Sequence, residues 1–220
     1  MKIIARIRND YDTKFGVPRQ SGLVNEVIST IVFEPEYRAE EALRGIEEFS
    51  HLWLIWSFDR VSREEWSPTV RPPRLGGNKR IGVFATRSPY RPNPIGLSCV
   101  RLVGTEKGNE ATVLRVAGAD LMNGTPIYDI KPYLPYADCR PDATGGFTDT
   151  AEKRQVRVTV PDEIAQGMDS GTLQALKAVL KEDPRPAYQQ DPERIYAFEF
   201  AGKHIQFRVS GSELTVTDIS

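Results

Sequence analysis

The fold is inferred from the stretch His51-Leu52-Trp53-Leu54-Ile55-Trp56-Ser57-Phe58, a short run of aromatic and aliphatic residues. Such runs, bounded by Gly, Pro and Asn, are typical of β-strands. Six more occur in the first 135 residues, at positions 2–8, 27–33, 79–85, 97–103, 110–116 and 126–133. Seven segments of this kind predict a mainly antiparallel β-barrel.

One segment among these strands has the spacing of a helix. Ala42, Leu43, Ile46 and Phe49 recur at helical intervals within residues 39–49. We expect this helix to plug or cover one opening of the barrel.

The end of the barrel domain is marked by a change of composition. Residues 135–150 are rich in Pro, Asp, Gly and Thr and poor in aliphatic side chains. We therefore assign residues 1–137 to the barrel domain, 138–150 to a linker and 151–220 to a small C-terminal α+β domain. Because so short a chain buries little surface alone, the second domain is expected to pack on the barrel or on a partner subunit. Its predicted elements are strands at 154–160, 195–200, 205–209 and 214–219 and a helix at 172–181.

The composition of the 220-residue chain is that of an ordinary globular protein, with 40% apolar and 27% charged residues. No apolar run approaches the about 18 residues that span a bilayer, and no signal-peptide core follows Met1. We therefore expect a cytoplasmic protein without membrane contact. Two cysteines and two histidines form neither a disulfide framework nor a zinc-ligand pattern, so no metal is expected.

The charge of the chain is unevenly distributed although its formal net value is only -1. No acidic residue occurs between Glu65 and Glu106, so this segment predicts a local positive surface suited to phosphate. The basic residues within it are Arg71, Arg74, Lys79, Arg80, Arg87, Arg91 and Arg101.

The standard cofactor and nucleophile motifs are missing from the sequence, namely G-x-G-x-x-G, Walker A, G-x-S-x-G and H-E-x-x-H. A Rossmann-type cofactor domain is therefore not expected. Instead, three loops shaped by Pro or Gly stand out, at residues 71–77, 86–96 and 123–126. Stiff loops lose little conformational entropy on binding, so three of them in one domain indicate a binding site.

Several blocks of the sequence resemble the signature blocks of the TrmO (TsaA/YaeB-like) family. They match in order over nearly the whole chain, at residues 14–20, 49–53, 70–78, 82–98, 124–126, 129–133 and 183–188. The resemblance implies an S-adenosylmethionine-dependent tRNA methyltransferase that acts on N6 of threonylcarbamoyladenosine next to the anticodon. It also implies a β-barrel cofactor domain, a small C-terminal domain and a homodimer. One departure is Asn123, where the family usually has Asp.

The resemblance implies cofactor contacts at Pro18, Arg19, Gln20, His51, Leu52, Arg87, Leu97, Gly124, Thr125 and Pro126. If the ligand is RNA, phosphate contacts are expected from Arg71, Arg74, Lys79, Arg80 and Arg91, and base stacking from Tyr90, Tyr133 or Tyr136. Arg185, in the block at 183–188, is expected to contact RNA at the rim of the active site.

Methyl transfer from a sulfonium needs neither a metal nor a covalent nucleophile, but it needs in-line positioning. The target N6 is a poor nucleophile while it keeps its proton, so either a base of the protein or water must take that proton. The candidates are Asp129, Tyr128 and Asp138. Strand alternation places Asp129 on the face of Ile127, opposite Tyr128, and we expect Asp129 to face the polar site because a carboxylate in an apolar core is costly.

Two other functions fit the same residues. The first is an RNA-binding barrel without catalytic activity, and the second is a methyltransferase that acts on an acceptor other than RNA. Binding of S-adenosylmethionine separates the first alternative from an enzyme.

Overall fold

The computed structural model describes residues 1–61, 66–72, 75, 79–150, 155–185 and 191–220. Six strands close into a barrel in the order β1-β2-β7-β6-β3-β8, and its pairings are antiparallel. The predicted mainly antiparallel sheet is confirmed. The strands of the first domain are β1 (Ala5–Arg8), β2 (Ile28–Phe33), β3 (His51–Ser57), β4 (Thr69–Val70), β5 (Ile81–Gly82), β6 (Ile95–Lys107), β7 (Thr112–Ala117) and β8 (Pro126–Pro132).

The barrel interior is filled by alternate residues of its strands. In β3, Leu52, Leu54 and Trp56 are buried, and the residues between them face outward. The ring of Trp56 lies on Gly96 of β6, where a Cβ atom would come within 2.2 Å of the ring. Glycine is therefore required at this contact.

The predicted strand at 79–85 lies outside the barrel. Only Ile81 and Gly82 form a strand, which pairs with β4 in a separate two-stranded sheet. The chain then turns through a 3-10 helix, Val83–Ala85, that buries Val83. The closed sheet consequently has six strands where the sequence predicted seven.

Residues 39–49 do not form the predicted helix. They form short 3-10 turns, Glu40–Leu43 and Ile46–Glu48. Gly45 between them has a φ of 84°, a left-handed conformation that interrupts a right-handed helix. Leu43, Ile46 and Phe49 nevertheless pack against the barrel core, so the segment covers the barrel at the end where β3 begins.

The C-terminal domain is rich in sheet. Its four strands lie in the order β10-β11-β12-β9, with β9 parallel to β12 and the other pairs antiparallel. None of the helices in the described part of the chain is long and apolar enough to cross a membrane. The remaining elements are α1 (Pro135–Asp138), α2 (Phe147–Thr150), β9 (Arg157–Thr159), α3 (Asp162–Ala165), α4 (Ser170–Lys181), β10 (Tyr196–Phe200), β11 (Lys203–Ser210) and β12 (Glu213–Ile219).

The two domains share a core through the connection between β1 and β2. Tyr11, Val24 and Val27 of this connection are buried in the same cluster as α4 and the second sheet. Gly16 has a φ of 99° and lies against Phe198, whose ring would be 2.6 Å from a Cβ atom. The second domain therefore packs on the barrel domain.

Candidate functional site

One end of the barrel carries the connections that hold most of the predicted cofactor residues. β1, β3 and β7 end there, and β2, β6 and β8 begin there, because neighbouring strands run in opposite directions. The connections at this end are residues 9–27, 58–94 and 118–125. They bring the predicted cofactor segments around residues 18–20, 87 and 124–126 to the same end.

The segment 18–20 is held against β6. The backbone N–H of Cys99 donates to Ser21 Oγ at 3.2 Å. Arg87 Nη1 donates to Gln20 Oε1 at 2.7 Å, which joins two predicted cofactor residues far apart in sequence. Gln20 and Arg87 therefore form a polar pair next to Ser21, which contacts β6.

Arg19 connects the same loop to the C-terminal domain. Its Nη2 atom donates to the carbonyl oxygens of Asp183, at 3.3 Å, and Arg185, at 2.9 Å. Pro18, the preceding residue, is buried. The C-terminal domain consequently helps to fix the loop that carries Gln20.

The outer face of β6, β3 and β8 forms rows of side chains next to this loop. Directly opposed residues of paired strands lie on the same face of a sheet. Leu97 is 51% exposed and Ile95 is 36% exposed, so part of this face is apolar and open to solvent. We call it the outer-face strip, with the rows Leu97, Ile55 and Asp129; Cys99, Trp53 and Lys131; and Arg101 and His51.

The strip ends at a group of aromatic and acidic side chains. The ring of Tyr133 lies 5.7 Å from that of Trp53 and 6.2 Å from that of His51. Asp138 Oδ2 accepts hydrogen bonds from Leu134 N at 2.8 Å and Trp53 Nε1 at 3.0 Å. These bonds hold the pKa of Asp138 below its usual value, and the bond from the Leu134 backbone contributes most. Because a lowered pKa means lower basicity, these bonds make Asp138 a weaker base than an ordinary aspartate.

The register of β8 corrects the expected orientation of Asp129. Ile127 pairs with the inward-facing Trp56, whereas Asp129 pairs with the outward-facing Ile55. Tyr128 falls at the register shift between them, so a β-bulge breaks the alternation. The expectation that Ile127 and Asp129 share a face is therefore wrong. Asp129 nevertheless lies on the outer-face strip, where its Oδ2 pairs with Lys131 Nζ at 2.8 Å.

A buried hydrogen-bonded chain that the sequence did not reveal lies beneath the Gln20 loop. Trp56 Nε1 donates to Ser98 Oγ at 2.9 Å, and Ser98 Oγ donates to Asp120 Oδ1 at 2.5 Å. Burial raises the pKa of Asp120, while Ser98, Arg87 and the backbone N–H of Ser21 oppose that rise. The chain thus links the barrel interior to the loop at Ser21. A polar residue at an inward position of β6, here Ser98, is the signal that could have indicated a buried partner.

Leu52, Thr125 and Pro126 point their side chains into the protein. Leu52 is completely buried, Thr125 is 3% exposed and Pro126 is also buried. Gly124 has a φ of 83°, as its turn requires, and its carbonyl oxygen accepts from Arg6 Nη1 at 3.2 Å. The side chains of Leu52, Thr125 and Pro126 therefore cannot contact a cofactor on the surface, and this part of the predicted set can contribute only backbone atoms.

The contacts of Asn123 explain why an amide suits this position, where the family usually has Asp. Its Nδ2 atom donates to Asp12 Oδ1 at 3.0 Å, and its Oδ1 atom accepts from the backbone N–H of Asn9 at 3.4 Å. An aspartate could not donate to Asp12 and would place two carboxylates together. The amide is therefore matched to Asp12.

The predicted RNA contacts differ in their availability. Arg71, Lys79 and Arg80 are exposed, and Arg80 Nη1 also donates to Thr69 Oγ1 at 3.0 Å. Arg91 Nη1 donates to backbone carbonyl oxygens of its own loop, at 3.0 and 3.3 Å. Arg74 lies outside the described residues.

Arg185 is buried rather than presented to solvent. Its Nε and Nη2 atoms donate to the two carboxylate oxygens of Asp183 at 2.8 and 2.9 Å, and both side chains are less than 10% exposed. Burial and the double hydrogen bond favour a structural ion pair over the predicted phosphate contact. The residues that follow it in the matching block, 186–188, lie outside the described residues.

Comparisons with known proteins agree with this architecture. The chain is 40% identical to a tRNA (adenine(37)-N6)-methyltransferase of Escherichia coli, covering 97% of this chain and 94% of that protein. It is 41% identical to a putative S-adenosylmethionine-dependent methyltransferase of Pseudomonas aeruginosa, covering 88% and 85%. The crystal structure of TrmO from Pseudomonas aeruginosa superposes with a TM-score of 0.79 at 31% identity, covering 99% of this chain and 97% of that one.

Two family models match the chain, one over each domain. Residues 6–139 match the tRNA-methyltransferase O N-terminal domain and residues 153–220 match the TrmO C-terminal domain. Since the two models together account for most of the sequence, and the relatives match over nearly their full length, the chain belongs to the tRNA-methyltransferase O (TrmO) family.

Proposed function

We propose that the chain transfers a methyl group from S-adenosylmethionine to N6 of threonylcarbamoyladenosine at position 37 of a tRNA. The relative from Escherichia coli, named for this position and atom, matches over nearly the whole chain. The observation that carries the proposal is the outer-face strip, an open apolar surface with the Gln20–Arg87 pair at one border and Asp129 at the other. This arrangement favours an enzyme over an RNA-binding barrel without catalytic activity.

The residues of the strip fit the chemistry of the cofactor. A purine and a ribose need an apolar wall, which Leu97 and Ile55 provide. The carboxylate of the methionine part needs a cation, which Arg87 provides, and the Gln20 amide lies next to that guanidinium. His51 lies at the far end of the same strip.

The residues of this chain orient the acceptor and accept its proton. When bound, S-adenosylmethionine supplies a methyl group that is already activated on a sulfonium. Asp129 accepts the N6 proton, and Lys131 Nζ, 2.8 Å from Asp129 Oδ2, holds the carboxylate in place. Tyr128, in the adjacent bulge, is the second candidate for this role.

The substrate approaches across the basic loops at the same end of the barrel. Arg71, Lys79 and Arg80 are exposed and belong to the acid-free part of the sequence. Their charges would contact phosphates of the anticodon loop and make binding dependent on salt. The reaction then takes place in the cytoplasm.

A homodimer is part of the proposal. Ile95 and Leu97 leave an apolar area exposed on one subunit, and a second copy would shield the cofactor from water. Sedimentation equilibrium at micromolar concentration measures the assembly. A monomer at all concentrations would remove this part of the proposal.

The cofactor site is tested by calorimetric titration with S-adenosylmethionine. Leu97→Ser removes half-exposed apolar surface from the strip, and Val103→Ser does the same at the other end of β6, where Val103 is 47% exposed. We expect a loss of about fivefold in cofactor affinity for Leu97→Ser alone, from the partial burial of one leucine. Equal losses of affinity in the two variants would mean that the cofactor binds elsewhere than on the strip. If the wild-type chain does not bind S-adenosylmethionine, the non-catalytic alternative is favoured.

A further inference from the structure

Two aromatic side chains are stacked on the protein surface outside the outer-face strip. Trp66 is 50% exposed and Phe84 is 72% exposed. Their ring centroids lie 6.2 Å apart with an interplanar angle of 25°. Large aromatic side chains are normally buried, so an adjacent exposed pair indicates a binding surface.

The backbone beneath this pair is fixed. The N–H of Val83 donates to the carbonyl oxygen of Pro68 at 2.9 Å, and the N–H of Thr86 donates to that of Val83 at 3.1 Å. Val83 itself is 1% exposed and anchors the 3-10 helix that carries Phe84. The rings are therefore presented by an ordered scaffold, which lowers the entropic cost of binding.

The loop region that carries the pair is basic. The guanidinium carbon of Arg91 lies 5.9 Å from the centre of the Phe84 ring. Lys79 and Arg80 are exposed in the same loop region, and no acidic residue occurs from Trp66 to Thr105. The chemistry is thus an aromatic surface in a positive field, which suits a polyanion with flat bases better than an apolar protein surface.

From this arrangement we infer that Trp66 and Phe84 form a stacking platform for an unpaired base of the RNA substrate. Single-stranded RNA is held by the combination of aromatic rings for bases and cations for phosphates. Lys79 and Arg80 contact the phosphates next to the stacked base. The inference rests on the proposed function in that it takes the ligand to be a tRNA.

The test compares substitutions that keep or remove the aromatic face. Phe84→Leu and Trp66→Leu remove it but keep an apolar side chain, whereas Phe84→Tyr and Trp66→Phe preserve it. Affinities for a tRNA anticodon stem-loop are measured by fluorescence anisotropy of the labelled RNA, and cofactor affinity by calorimetry. We expect each leucine variant to lose about 5- to 150-fold in RNA affinity, and the aromatic variants and the cofactor affinity to change less than about twofold.

The outcomes separate this inference from the proposed function. If the wild-type chain binds RNA and Phe84→Leu binds it equally well, the platform is overturned while the proposed function stands. If Phe84→Tyr loses as much as Phe84→Leu, the ring face is not what binds, and the platform is overturned as well. A subunit interface is indicated instead if Phe84→Leu changes the oligomeric state. No RNA binding by the wild-type chain would overturn both proposals.

Discussion

Ser98→Ala removes the hydroxyl that joins Trp56 to Asp120 inside the barrel. Trp56 Nε1 then loses the acceptor it has at 2.9 Å, and the Asp120 carboxylate loses its Ser98 donor. An unsatisfied buried donor costs about 1–3 kcal/mol, and a lost bond to a charged group adds to it, so we expect a loss of about 2–4 kcal/mol in the free energy of unfolding. Urea denaturation followed by tryptophan fluorescence measures this loss.

The loss should also depend on pH. Burial already raises the pKa of Asp120, and the Ser98 hydrogen bond opposes that rise. Without it the folded-state pKa moves further up. When the pKa of a carboxyl group is higher in the folded than in the unfolded state, its ionisation favours the unfolded chain. Stability therefore falls as the pH rises from the unfolded-state pKa through the folded-state pKa, and Ser98→Ala should be more destabilising at pH 8 than at pH 5.

Ser29→Ala is the matched control for this variant. Ser29 is also completely buried in the barrel, but its Oγ accepts only from Asn9 Nδ2, at 3.3 Å, among the described contacts. We expect a smaller loss of about 0.5–1.5 kcal/mol that does not change with pH. Equal losses for the two variants at both pH values would refute the coupling of Ser98 to Asp120.

Gly96→Ala places a Cβ atom 2.2 Å from the Trp56 ring and should lower the free energy of unfolding, measured by urea denaturation, by about 1–3 kcal/mol. The control Gly82→Ala meets nothing within 4 Å and should leave the stability nearly unchanged. Similar losses in the two variants would contradict the packing of Trp56 on Gly96. Arg185→Ala leaves the Asp183 carboxylate buried and unpaired and should cost about 3–5 kcal/mol. If the stability were unchanged and the salt dependence of tRNA binding became weaker, Arg185 would be an RNA contact rather than a structural residue. Asp129→Asn should lower the single-turnover rate by about 10² to 10⁴ while leaving ligand affinities almost unchanged, and near-normal turnover would leave positioning alone as the mechanism.

Much of the sheet was predictable because its strands are short runs of aliphatic and aromatic residues bounded by Gly, Pro and Asn. The predicted run at 51–58, for example, forms the strand His51–Ser57. The failed helix at 39–49 shows the limit of periodicity, because Gly45 adopts a left-handed conformation that the apolar spacing does not reveal. The bulge at Tyr128 is a similar local event, and it places Asp129 and Ile127 on opposite faces of the sheet.

The site was predictable only in its individual residues. Gln20 and Arg87 were named from separate blocks, but their hydrogen bond depends on how the loops of one barrel end come together. Asp120 was not named, because its role depends on burial against Ser98. Arg185 was predicted to contact RNA from its place in the block at 183–188, whereas the fold pairs it with Asp183.

The most direct test of the proposed function is methyl transfer from S-adenosylmethionine that carries a trideuterated methyl group. The purified chain is incubated with tRNA that contains threonylcarbamoyladenosine and, in parallel, with the unmodified transcript. Mass spectrometry of fragments and nucleosides then locates the label. We predict a single trideuterated methyl group on N6 of the modified adenosine at position 37, the position named for the relative from Escherichia coli. Absence of label from both RNAs, or label on another nucleotide, would contradict the account.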